Sequence, residues 1–142
     1  MKVILNKCYG GFGCSDACYR LYAKKKGFEV YPYKLDVVGG KNKECIYKKA
    51  DARDVDSGWV SYFKKDFGDS FNDKEVDAWD EHVYLDTPHR EDHILIECVE
   101  ELGKRANGRY AELQVVEIPD GMDYVIDDYD GIETLHENVR CW

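Results

Sequence analysis

Residues 2–26, KVILNKCYGGFGCSDACYRLYAKKK, decide how this chain starts to fold. Residues 2–6 are a nearly continuous apolar run. That pattern predicts a strand covered on both faces in the middle of a sheet. Residues 7–14 (KCYGGFGC) form a glycine-rich turn. Ser15 is an N-cap, Asp16 suits a first helical turn, and Ala17, Cys18, Leu21 and Tyr22 share one helical face. Lys24, Lys25 and Lys26 complement the C-terminal end of that helix, and Gly27 stops it.

Outward from this unit, residues 28–33 read as a second strand. Residues 37–44 read as a hairpin turn with Gly39 and Gly40 at its tip, and residues 45–49 as the returning strand. Residues 50–80 are an irregular excursion in which WVSYFKKDFG (59–68) has the pattern of a short amphipathic helix. Residues 81–86 are a strand closed by Thr87-Pro88. The strongest helical pattern spans 91–106, with Ile94, Leu95, Cys98, Val99, Leu102 and Ala106 in one stripe and Gly108 as its stop. Strands follow at 110–118, 124–127 and 132–136, the last two joined by the turn DYDG (128–131). The order is β-α-β-β, excursion, β-α-β-β-β. The expectation is therefore one α+β domain over residues 1–142: a mixed, mainly antiparallel sheet with two helices packed on it.

A chain of 142 residues with 44% hydrophobic residues can bury a core of this size. Its formal charge of −9 argues against electrostatic grip on duplex nucleic acid or an anionic membrane. Asp120, Asp123, Asp127, Asp128, Asp130, Glu133 and Glu137 crowd the C-terminal part and read first as a solvated face. The beginning MKVILNKCYGG is too short in apolar residues for a signal peptide, and no run is long enough to span a bilayer. The expected location is the cytoplasm, with the six cysteines reduced.

The glycine-rich turn is the first candidate for chemistry. Glycines let a ligand approach the backbone, helix N-termini favour anions, and Tyr9 and Phe12 flank Gly10 and Gly11 with rings that can stack a base. The turn is neither a P-loop nor a dinucleotide fingerprint, and it reads first as a tight turn with ordinary capping and second as a ligand site. Arg105, Asn107 and Arg109 surround the end of the second helix, with Arg90 just before that helix. An arginine fork matches phosphate geometry; helix-end complementation and surface ion pairing are the competing reading. Cys14 with Cys18 and His89 with His93 do not make a metal-ligand pattern. No nucleophile elbow is present, no carboxylate pair stands out, and Cys8 with His82 is a bare conjecture. The residues point to a binding protein without a cofactor, not to an enzyme.

The opening KVILNKCYGGFGCSD (2–16), with LIECVEELGKRANGRYAELQVVEIPDG (95–121) and IDDYDGIETLHENVRCW (126–142), resembles a family of phage-encoded anti-Thoeris proteins. Residues 30–80 carry no such resemblance. The resemblance implies a sponge found in the host cell cytoplasm, which binds a cyclic ADP-ribose isomer used as an immune signal and does not cleave it. It also implies capture of cyclic oligonucleotides by some relatives, assembly into dimers or hexamers, and ligand contacts from an aromatic and arginines. Arg109 in NGRYA is the position matched first. Cys14 and Cys18 depart from the family pattern, which has aliphatic or other residues there. A protein-interaction module that blocks a host protein through its acidic face is the alternative reading.

Overall fold

The computed structural model describes residues 1–37, 45–57 and 59–138. The expected turn around Gly39 and Gly40 lies outside the described residues. The chain is α+β: β1 (Lys2–Asn6), α1 (Asp16–Lys26), β2 (Tyr31–Val37), β3 (Ile46–Lys49), α2 (Ala52–Ser57), β4 (Ser61–Phe63), β5 (Ser70–Asn72), β6 (His82–Val83), α3 (His93–Leu102), β7 (Leu113–Glu117), β8 (Tyr124–Tyr129) and β9 (Ile132–Glu137). Every described strand pair is antiparallel. The strands divide among three ladders, β1-β7, β5-β3-β2-β4-β6 and β8-β9, where the sequence suggests one sheet. No helix among the described residues is long and apolar enough to cross a membrane. By its internal contacts the chain forms two compact units, residues 1–18 with 85–142, and residues 19–84.

In the first unit β1 pairs with β7 in the register Val3 to Val116 and Leu5 to Gln114. Val3, Ile4, Leu5 and Asn6 are all buried, as the apolar run predicts, yet among the described residues β1 has one strand neighbour, β7. Its other edge is closed by Arg90 and Glu133. The Ile4 N–H donates to the Arg90 carbonyl (2.9 Å) and the Asn6 N–H to the Glu133 carboxylate (2.8 Å). The Arg90 guanidinium donates back to the Ile4 carbonyl (3.0 Å) and grips Glu133 with both prongs, at 3.1 and 2.9 Å. An ion pair thus satisfies the polar groups that a neighbouring strand would otherwise take.

Val3, Leu5 and Ile118 form the buried centre here, with Tyr124, Ile126 and Leu135 of the β8-β9 hairpin packed against it, and α3 lies against β1 and β7. Asp92 caps α3, accepting from the Ile94 (2.9 Å) and Leu95 (3.4 Å) N–H groups. The helix ends at Leu102, short of the expected residue 106, because Gly103 breaks the repeat and the chain tightens into a 3-10 turn over Gly103–Ala106.

The second unit is a five-stranded antiparallel sheet with an aromatic core: Tyr33, Tyr47, Phe63 and Phe71, with Tyr31 and Phe67 against them. Tyr47 stacks on Phe71 with centroids 5.2 Å apart, and Tyr33 meets Phe63 edge-on at 5.9 Å. The stretch 59–68 is not the expected amphipathic helix. Ser61–Phe63 is strand β4, held between β2 and β6. The run SYF is short and carries two aromatic side chains, and pairing on both sides decides in favour of a strand. Helix α1 begins as expected, with Ser15 Oγ accepting from the Cys18 N–H (3.1 Å).

Candidate functional site

The glycine-rich turn lies within the first unit, tied down by main-chain hydrogen bonds. Lys7 N–H donates to Glu112 (2.8 Å), Gly10 to Asp130 (3.0 Å), Gly11 to Tyr110 (3.1 Å) and Ser15 to Ala106 (2.9 Å); Gly108 N–H donates to Gly13 (3.0 Å). Gly10 and Gly11 therefore spend their N–H groups on protein carbonyls and do not form a phosphate cradle. Their value is steric. A Cβ on Gly10 would lie 2.1 Å from the Tyr110 carbonyl oxygen, and one on Gly131 would lie 2.6 Å from the Gly10 backbone. Only glycine permits these three segments to touch.

This close packing displays a ring from each segment. Tyr9, Tyr110 and Tyr129 are respectively 68%, 59% and 71% exposed. Tyr9 meets Tyr129 edge-on at 6.5 Å, and the Arg109 guanidinium lies 5.8 Å from the Tyr110 ring. Tyr129 is carried by the tight β8-β9 hairpin, whose turn places Asp130 and Gly131 at positive φ and has Asp128 accepting from the Gly131 N–H (2.8 Å). The surface is of mixed charge: Arg109 is its cation, and exposed Asp128 and Asp130 sit on the same hairpin turn as Tyr129.

The other candidates fall in different places. Phe12 is half-buried with the Arg90 guanidinium over its ring at 5.5 Å. Arg90 is nearly buried and committed to Glu133 and the Ile4 carbonyl, which makes it part of the β1 edge. Arg105 is exposed, and its carbonyl accepts from Ser15 Oγ at 2.5 Å. Asn107 is half-buried; its side chain accepts from the Leu113 N–H (2.8 Å) and its backbone bridges to Cys14. Tyr9, Arg109 and the glycines are thus brought together, while Arg90 and Asn107 serve the framework. Sequence reading missed Tyr110 and Tyr129. Each sits beside a recognised feature, the NGR turn and the DYDG turn, and that adjacency was the available signal.

Glu133 is not part of the solvated face expected of the acidic run: it is 3% exposed and ion-paired, whereas Asp120, Asp123, Asp127, Asp128, Asp130 and Glu137 are exposed as expected. Cys14 is half-buried, and the hydrogen bond with Cys18 and desolvation hold its thiol pKa well above the ordinary value. Cys8 and His82 belong to different units. Cys8, Cys14, Cys18, Cys45 and Cys98 are free thiols; Cys141 lies outside the described residues. Among the described residues no group of three His, Cys, Asp or Glu is placed to hold a metal ion. No protein-family model, no curated protein and no solved structure matches this chain.

Proposed function

We propose that this protein binds a cyclic nucleotide signal on the face made by Tyr9, Tyr110, Tyr129 and Arg109 and holds it without cleaving it. The observation that carries the reading is the trio of exposed tyrosines, presented by three chain segments that close contacts at Gly10 and Gly131 lock together. Rings fixed in this way stack bases with little ordering cost, and Arg109 supplies the fork for a phosphate. The resemblance of residues 2–16, 95–121 and 126–142 to the anti-Thoeris family directs the proposal to a cyclic ADP-ribose isomer, with cyclic oligonucleotides as a second ligand class. It makes the chain a phage anti-defence protein acting in the host cytoplasm as a homo-oligomer. An exposed tyrosine face also suits an interface between copies.

The test is to load the protein with a cyclic ADP-ribose isomer, remove free ligand, denature by heat and identify what is released. Intact ligand supports sequestration, altered products indicate an enzyme, and no ligand favours the acidic interaction module. In Arg109→Ala the melting temperature should hardly move, because an exposed charge contributes about 0–1 kcal/mol. Affinity should fall about ten- to a hundredfold, the value of a charge-assisted hydrogen bond, and Arg109→Lys should recover part of it.

A further inference from the structure

Within residues 1–18 and 85–142 two cysteines stand in contact at the start of α1, and neither takes part in the ligand reading above. Cys14 precedes the Ser15 cap, and Cys18 lies in the first turn of the helix. The backbone between them is pinned at both ends. Cys14 forms an antiparallel bridge with Asn107, and the Gly108 N–H donates to the carbonyl of the preceding Gly13 at 3.0 Å. The Ser15 N–H donates to the Ala106 carbonyl at 2.9 Å, while Ser15 Oγ accepts from the Cys18 N–H at 3.1 Å. On this fixed segment the Cys14 thiol is hydrogen-bonded to the Cys18 sulfur.

Two sulfurs in contact meet the main demand of a disulfide, side chains that point at each other over a short distance. Cys18 has none of its surface exposed, whereas Cys14 is half-buried, so a small oxidant meets the pair at Cys14. The other half-buried thiols are placed differently. Cys8 Sγ lies 3.7 Å from Asn6 Oδ1 and 3.5 Å from the Tyr110 carbonyl, and Cys45 belongs to residues 19–84. The hydrogen bond to Cys18 and burial hold the Cys14 thiol well above its ordinary range, and the nearby Cys98 and Asp86 act in the same direction. The pair therefore rests as thiols at neutral pH and reacts faster as pH rises.

We infer that Cys14 and Cys18 are a reversible modification site: hydrogen peroxide converts them to a disulfide that locks the end of the glycine-rich turn to the first turn of α1. The Cys14 thiolate attacks one peroxide oxygen, the O–O bond breaks, and hydroxide leaves as Cys14 becomes a sulfenic acid. Cys18 Sγ then attacks Cys14 Sγ, the S–O bond breaks, and the hydroxyl leaves with the Cys18 proton as water. Two thiols and one peroxide give one disulfide and two waters, each sulfur losing one electron. A partner already in contact captures the sulfenic acid before a second oxidation makes the irreversible sulfinic acid. A thiol reductant restores both groups.

The experiment treats the intact, reduced protein with excess hydrogen peroxide at about pH 8.5, where more thiolate is present, then removes the peroxide, denatures, alkylates and maps every thiol by mass spectrometry. Cleavage after Lys7 and Arg20 and before Asp16 puts the two cysteines on separate peptides. The expected product is residues 8–15 joined to residues 16–20 with two hydrogens fewer, falling apart in dithiothreitol. Cys8→Ser leaves Cys14 as the single cysteine of residues 8–15 and should give the same linkage. Cys18→Ser should let Cys14 run on to sulfinic acid, and Cys14→Ser should leave Cys18 open to alkylation. The map of the unsubstituted protein decides the matter whether or not these variants fold. A disulfide to Cys8 or Cys98 overturns the inference. So does sulfinic acid at Cys14 beside a reduced Cys18, or a pair still open to alkylation once Cys8 and Cys45 are oxidised.

Discussion

The two units solve the same problem, a small buried centre, with different chemistry. Residues 1–18 with 85–142 bury aliphatic side chains, Val3, Ile4, Leu5, Leu95 and Val99, and close the exposed edge of β1 with a buried ion pair. Residues 19–84 bury rings, Tyr33, Tyr47, Phe63 and Phe71, two of which carry a hydroxyl. The Tyr33 hydroxyl donates to the Gly68 carbonyl (2.9 Å), has Asp66 at 3.2 Å and accepts from the Phe67 N–H (2.8 Å). The aliphatic unit buries a charged pair, whereas the aromatic unit buries the neutral Tyr33 hydroxyl and shares it among several partners. That contrast predicts where each is most easily broken.

The largest effect is expected in Glu133→Ala. It leaves the Arg90 guanidinium buried without its partner and the Asn6 N–H without an acceptor, a loss of about 3–5 kcal/mol. Urea unfolding measures the total, and hydrogen exchange locates it: the Ile4 and Asn6 amides should lose protection while those of β2 and β4 keep theirs. Joint loss in both places would show that the two chemistries share one cooperative transition and would end the contrast.

Tyr33→Phe should cost less, about 1–3 kcal/mol, the penalty for stranding the Phe67 N–H and the Gly68 carbonyl in a partly buried setting. Its exchange signature should fall on residues 66–68. A loss as large as that of Glu133→Ala would mean that the aromatic unit also hangs on a single polar contact.

The smallest effect is a pH dependence. His82 packs among Phe63, Trp79 and Tyr84, and burial holds its pKa below the ordinary value of 6.5. The unfolded chain therefore takes up this proton more readily than the folded one. The contribution is fully present above about pH 6.5 and is lost as pH falls from there through the lower folded value. Melting temperature should drop over that window, and His82→Phe should flatten the drop. An unchanged slope in the variant would remove His82 as its source.

The opening strand, its glycine turn, the Ser15 cap and α1 could be read from the sequence because each rests on local chemistry. So could the β8-β9 hairpin, whose DYDG turn fixes its own geometry. The segment 59–68 could not: its aromatic pairs fit a helix face or a strand, and only β2 and β6 alongside select the strand. At the candidate site Tyr9 and Arg109 were visible as residue types beside turns, but that Gly10 packs against Tyr110 and Gly131 could not be read from spacing.

By itself the sequence determined the α+β class, the places of the turns and caps and the acidic balance, since these follow from side-chain pattern and backbone preference over a few residues. Tertiary structure alone decided that Glu133 leaves the acidic run to pair with Arg90, a residue 43 positions away. It also decided that the glycine turn spends its N–H groups inward and that Tyr9 and Tyr129, from distant segments, meet ring to ring at the surface. The physical reason is the same in each case. A hydrogen bond or a close backbone contact between remote segments depends on which chain comes alongside, and no local preference encodes that.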